Sequence, residues 1–135
     1  ALHRLELIKS TLIADLKTRI MEMIGFISPN EVVGFGTGTT PPLYFLDISD
    51  PNNPRETRVL LTQPHQDYVF QRDRSSLLLH LRTGEFHLVH LQEPYETETI
   101  PVTLSSHPHS YALHPNRRHF AYFEKDQSEL QIFDR

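Results

Sequence analysis

The sequence predicts a mainly β fold built from about three repeated antiparallel units of four short strands. Three observations predict it. Short apolar runs recur from Met23 onward, separated by turns rich in Pro, Asn, Asp and Gly. The runs return at spacings of 43 and 44 residues. Within a run the side chains fall alternately on two faces, as Leu43 and Phe45 do against Tyr44 and Leu46, the period of a strand.

Composition bounds the classes of function. The 135 residues suffice for one domain with a core, and 38% hydrophobic with 22% charged residues is a globular balance. Ten prolines and five glycines predict many turns. The absence of cysteine excludes a disulfide framework and thiolate metal sites, and leads to the expectation of a cytoplasmic protein. No apolar run approaches the ~20 residues of a membrane-spanning helix, and no signal peptide opens the chain, so no membrane partner is expected. A net charge of −4 without a basic cluster argues against nucleic acid.

Residues 1–22 carry two readings. Leu5, Ile8, Leu12, Leu16, Ile20 and Met23 recur at helical spacing, with Gly25 as a stop. Leu12, Ala14 and Leu16 also alternate with polar neighbours, as a strand would. The segment is expected to be either an N-terminal helix or a strand that closes a ring.

The first unit spans 23–65. Met23–Ile27 leads through the turn Ser28-Pro29-Asn30 into Val32–Gly36, then a Gly/Thr/Pro loop, Leu43–Ile48, the Asp50–Pro54 loop and Arg58–Thr62. The second unit spans 66–108, with strands expected at Tyr68–Gln71, Leu77–Leu81, Phe86–Leu91 and Ile100–Leu104. The Thr83-Gly84 turn between its middle strands reads as a two-residue hairpin, which favours Gly for its positive φ. The third unit, 109–135, has Tyr111–His114, His119–Phe123 and Leu130–Phe133, and stops one strand short. Leu43–Ile48, Phe86–Leu91 and Leu130–Arg135 align with one another, and Ser28-Pro29-Asn30 aligns with His114-Pro115-Asn116. Four short strands repeating every ~40–45 residues is the pattern of a β-propeller blade.

These units resemble degenerate WD repeats. The resemblance rests on Ser28-Pro29-Asn30 and His114-Pro115-Asn116 at the turn, on Leu46-Asp47 and Phe133-Asp134 where the family has Trp-Asp, and on His65 and His107 ahead of the innermost strand. The chain departs from the family in having no Trp, no Gly-His pair, and Val89-His90 in place of Trp-Asp in the middle unit. Closed propellers typically have ~4–8 blades, so three would leave an open edge. The chain is then a segment of a longer propeller, or a half that closes with a second copy. A third reading discards the repeat for a single β-sandwich or a sheet packed by an N-terminal helix.

No catalytic motif stands out, and no catalytic residue, metal or cofactor is expected. In a two-residue hairpin His80 would oppose His87 at ~5 Å between Cβ atoms, a pair that could bind metal or sense pH, though both rings on an exposed polar face is the simpler reading. His107, His109, His114 and His119 cluster in sequence, but Pro108 splays the first two. His114 stands where Ser28 stands in the first unit, so its ring is expected to bond the turn backbone. The Gly34–Gly38 stretch has no following helix and no Gly-Lys-Ser/Thr, so it reads as a loop. Asp47 and Asp134 occupy equivalent positions and are expected to cap strand ends. Ser75-Ser76 and Ser105-Ser106 lack the glycines of a nucleophile elbow. Phe26, Phe35, Phe45, Phe70, Phe86, Phe120 and Phe133 are expected in the core. The preferred binding surface is His65, Gln66, Tyr68, His107, His109 and Tyr111, at the start of the innermost strands. The expected function is a non-enzymatic scaffold that binds a protein or peptide, including a second copy of itself or the rest of a longer chain. The alternative is a propeller-type metal-dependent hydrolase or lyase that uses channel-facing histidines.

Overall fold

Short apolar runs between strong turns give eleven strands and no helix among the described residues. They are seen in a computed structural model that describes residues 20–104, 110–123 and 129–134. The expectations of a helix or closing strand before residue 20, and of binding residues at His107 and His109, fall outside these. The chain divides into two compact units, 1–62 and 63–135.

The first unit holds one four-stranded antiparallel sheet in the order β1 (Glu22–Ser28), β2 (Glu31–Phe35), β3 (Leu43–Asp47), β4 (Arg55–Leu60). β2 and β3 carry its buried residues, among them Val33, Phe35, Leu43 and Phe45. Gly25 does not end an N-terminal element. It lies inside β1 beside a register shift, where the strand bulges. Gly34 lets β1 approach, since a Cβ there would meet the Glu22 carbonyl oxygen at 2.8 Å. Phe26 differs from expectation. It sits on the edge strand β1 and is 45% exposed. Thr62 donates to the Pro41 carbonyl at 2.7 Å, which ties the end of the unit to the loop before β3.

The second unit holds two sheets. One runs β5 (His65–Phe70), β6 (Ser76–Leu81), β7 (Glu85–His90), β8 (Thr97–Thr103), and the other runs β9 (Ser110–Leu113), β10 (His119–Phe123), β11 (Gln131–Asp134). All neighbours are antiparallel, and no sheet closes on itself among the described residues. β6 is buried along its whole length. Leu78, with Phe86, Leu88, Ile100, Val102 and Leu104, packs on Leu113 and Phe120 of the other sheet. Tyr111, Tyr122 and Phe133 border that core. Each fully buried Phe or Leu contributes roughly 1.5–3 kcal/mol by leaving water. This layer is the main source of cohesion between the two sheets.

The β6–β7 hairpin corrects the expected register. His80 opposes Phe86 and His87 opposes Leu79, so the two histidines lie on opposite faces. The cause is a loop of three residues, Arg82–Gly84. The Gly84 amide donates to the Leu81 carbonyl at 3.0 Å, and Gly84 takes φ +95°. A tight turn followed by a left-handed glycine adds one residue to the loop, and one residue flips every side chain. His80 moves from an expected exposed face to 1% exposure. The outer strands β4 and β8 begin three residues earlier than the apolar pattern implies, at Arg55 and Thr97. Their first turns are exposed and rich in Thr, Glu and Arg, so burial does not mark them.

Candidate functional site

The turns of the second unit set the site. Both the β5–β6 and β9–β10 connections are four-residue loops, closed by Gln71 N–H to Ser76 O and by His114 N–H to His119 O. In each, the third loop residue is left-handed: Arg74 at φ 58° and Arg117 at φ 59°. Each loop is held by a side chain. Asp73 accepts from the Ser75 amide at 2.9 Å, a bond that lowers its carboxyl pKa. Asn116 accepts from the amides of Arg118 and His119. At the start of the β9–β10 turn, His114 Nδ1 accepts from the Asn116 amide at 3.1 Å. Ser28 Oγ does the same for Asn30 at 3.2 Å, as the repeat alignment anticipates.

Arg117 projects from its turn onto the neighbouring sheet. One terminal nitrogen donates to Ser75 Oγ at 2.6 Å and lies 3.8 Å from Asp73. The other lies 3.4 Å from His90 Nδ1. His90 Nε2 in turn lies 2.7 Å from Glu98 on β8. The partners assign the tautomer: Arg can only donate, so Nδ1 accepts, and Nε2–H donates to the carboxylate. The lone pair that would serve as a base is thus held by a guanidinium rather than by the Ser75 hydroxyl. Chemically this is a clamp between sheets. Sequence reading missed it, although a signal was present: Asp47–Arg55 and His90–Glu98 are both pairs eight residues apart at the end of a third strand. Asp47 also accepts from Ser49, and Asp134 is bound by Arg118 at 2.6 Å, so both hold strand ends as expected.

The second anchor is at the start of the inner strands. Tyr111 on β9 donates its hydroxyl to Asp67 on β5 at 2.9 Å. Burial, with Asp67 beside it, raises the phenol pKa far above its usual range. Its ring packs at 4.9 Å from Phe86 and 5.6 Å from His80. His80 stacks on Phe86 at 4.4 Å and 8° between planes. Its Nε2 is buried without a hydrogen-bond partner among the described residues. Desolvation lowers its pKa, opposed only in part by Asp67 and the backbone at Gly84 and Leu104.

The expected binding surface is divided. His65 meets Tyr68 edge-on at 6.1 Å, and Gln66 donates to the Leu81 carbonyl at 3.1 Å, tying down the bulge of β5. Tyr111 instead belongs to the core between the sheets. Between the two anchors lies a half-open cleft of about 420 Å³, walled by Val69 and Phe70 of β5 and by Tyr111 to Leu113 of β9. Gln71, Arg72, Asp73, His114 and Arg117 also line it, as does the buried Ser76. Among the described residues, no group of three His, Asp or Glu side chains is placed to hold a metal ion, and no helix is long and apolar enough to cross a membrane.

Three outcomes test this geometry. Arg74→Gly should leave stability unchanged or raise it by up to about 1 kcal/mol, since it only relieves a left-handed side chain. Arg117→Gly relieves the same strain but removes the clamp, and should cost about 1–2 kcal/mol in denaturant unfolding. For His80 the folded pKa is lowered, so the unfolded chain binds its proton first. Stability should be level above pH ~6.5 and fall below it, by at most ~1.4 kcal/mol per pH unit. Subtracting the profile of His80→Phe from that of the native chain should isolate this slope; parallel profiles would show that His80 contributes none.

No protein-family model matches the chain, and comparisons with curated proteins and with solved structures return no match.

Proposed function

We propose that the chain is a non-enzymatic interaction module, whose sheets act as WD-repeat-like propeller blades and whose principal contact is a strand added to β11. One observation carries this reading. In the sheets that contain β4 and β8, a fourth strand lies beyond the third. Beyond β11 the corresponding place is unfilled among the described residues. Such an edge presents unpaired backbone N–H and C=O groups to any extended chain. The one charge of β11, Asp134, sits at the end of the strand, while Ile132 within it and Leu130 just before it are 67% and 53% exposed.

The filled sheets indicate the chemistry of the missing strand. Asp47 is paired with Arg55 of β4, and His90 with Glu98 of β8. Asp134 occupies the equivalent end of β11 and is bound on its inner side by Arg118. A strand with a basic residue opposite Asp134 and a β-branched or aliphatic residue beside Ile132 would complete the pattern. It would come from a second copy of the chain or from the rest of a longer polypeptide.

Light scattering over a concentration series tests the reading. The native chain should show mass rising with concentration. Ile132→Lys, a charge placed on the exposed edge, should return the monomer without changing the melting temperature by more than a few degrees. A monomer at every concentration, with rapid amide exchange throughout β11 in the presence of candidate strands, would remove the proposal.

A further inference from the structure

We infer that the cleft between β5 and β9 is a second binding site, separate from the β11 edge, which takes a short extended peptide with an apolar side chain beside a carboxylate. The apolar part follows from the walls. Phe70, Tyr111 and Leu113 line the cleft from both sides. Its volume of about 420 Å³ falls within the ~300–1,000 Å³ usual for ligand pockets. The backbone of the walls is also available. β5 pairs only with β6 and β9 only with β10 among the described residues, so each wall is a sheet edge.

The polar part follows from Ser76. This residue is fully buried, its Oγ has no hydrogen-bond partner among the described residues, and it lines the cleft. A buried hydroxyl without a partner costs free energy unless something binds it. Inside a cleft open to solvent, a ligand carbonyl or carboxylate supplies that partner. The charge follows from the lining. Arg72 is exposed and makes no ion pair among the described residues. Arg117 and Asp73 line the same cleft 3.8 Å apart and offset each other, so Arg72 leaves the lining with a net positive charge. On a chain of net charge −4 this is a local cationic patch, complementary to an acidic peptide and unfavourable for a basic one.

The test is an amide chemical-shift titration of the native chain with three blocked hexapeptides, alternating Leu with Glu, Leu with Gln, and Leu with Lys. The Leu/Glu peptide should bind tightest, shifting the amides of β5, β9 and the two turns that follow them, and binding should weaken as salt is raised. Arg72→Ala should weaken it about tenfold. Ser76→Ala is the sharper variant. It should leave the melting temperature of the free protein unchanged or higher, because it deletes an unpartnered group, while weakening the peptide about fivefold or more. Loss of stability in Ser76→Ala would overturn the inference, since the hydroxyl would then already be satisfied. Equal affinity for the Leu/Glu and Leu/Lys peptides would overturn it as well, as would shifts confined to β11. Because assembly through β11 is read by mass and cleft binding by shifts at β5 and β9, either can fail without the other.

Discussion

Packing of two small sheets against each other across one aromatic layer is the constraint on which the second unit depends. Neither sheet buries enough on its own. The three-stranded sheet contributes only short strands, and its apolar residues Leu113 and Phe120 are buried because Leu78, Phe86 and Leu88 lie opposite them. Phe86 is central. Its ring contacts His80, Tyr111 and Phe120 within 5 Å, and each of those belongs to a different strand. Dispersion and area burial set the strength of this layer, but they are non-directional. Direction comes from the two polar anchors at its ends. Tyr111 to Asp67 fixes the start of β9 on β5, and Arg117 fixes the following turn on Ser75 and His90. A sheet pinned at both ends cannot slide over its neighbour, and the cleft between the pins keeps its shape.

The units keep positions while exchanging chemistry. At the first turn a Ser hydroxyl and a His imidazole accept the same amide, two residues ahead. At the end of the third strand an Asp–Arg pair becomes a His–Glu pair, with acid and base exchanged between strands. What persists is the geometric need: an acceptor at the turn, and a pair across the outer two strands. Any residue with the right reach and polarity fills it.

This explains what was legible. The middle strands are plain in the sequence, because Leu77 to Leu81 and Leu43 to Leu46 are buried on both faces and read as apolar runs. Antiparallel order follows from the short turns between them. The outer strands were less legible because Thr97 to Thr99 and Arg55 to Arg58 face solvent and carry no apolar alternation. The register of β6 and β7 turned on whether the loop held two or three residues, and Thr83-Gly84 allows both. That one residue decided whether His80 was a surface ligand or a buried ring. Of the site, the turn role of His114 could be read from its repeat position. The Arg117 clamp could not, because it joins residues on four separate elements that only the packing of one sheet on the other brings together. The Ser76 hydroxyl has no sequence signal at all; its importance rests on what surrounds it.

Native-state hydrogen exchange in the presence of Phe120→Leu tests most directly whether the two sheets are one cooperative body. Phe120 lies in the three-stranded sheet, and the substitution should cost about 1–2 kcal/mol. If the aromatic layer joins the sheets, the slowest amides of β6, β7 and β10 share one opening free energy, and all accelerate by the same factor. Acceleration confined to β9, β10 and β11, with β6 and β7 unchanged, would contradict it.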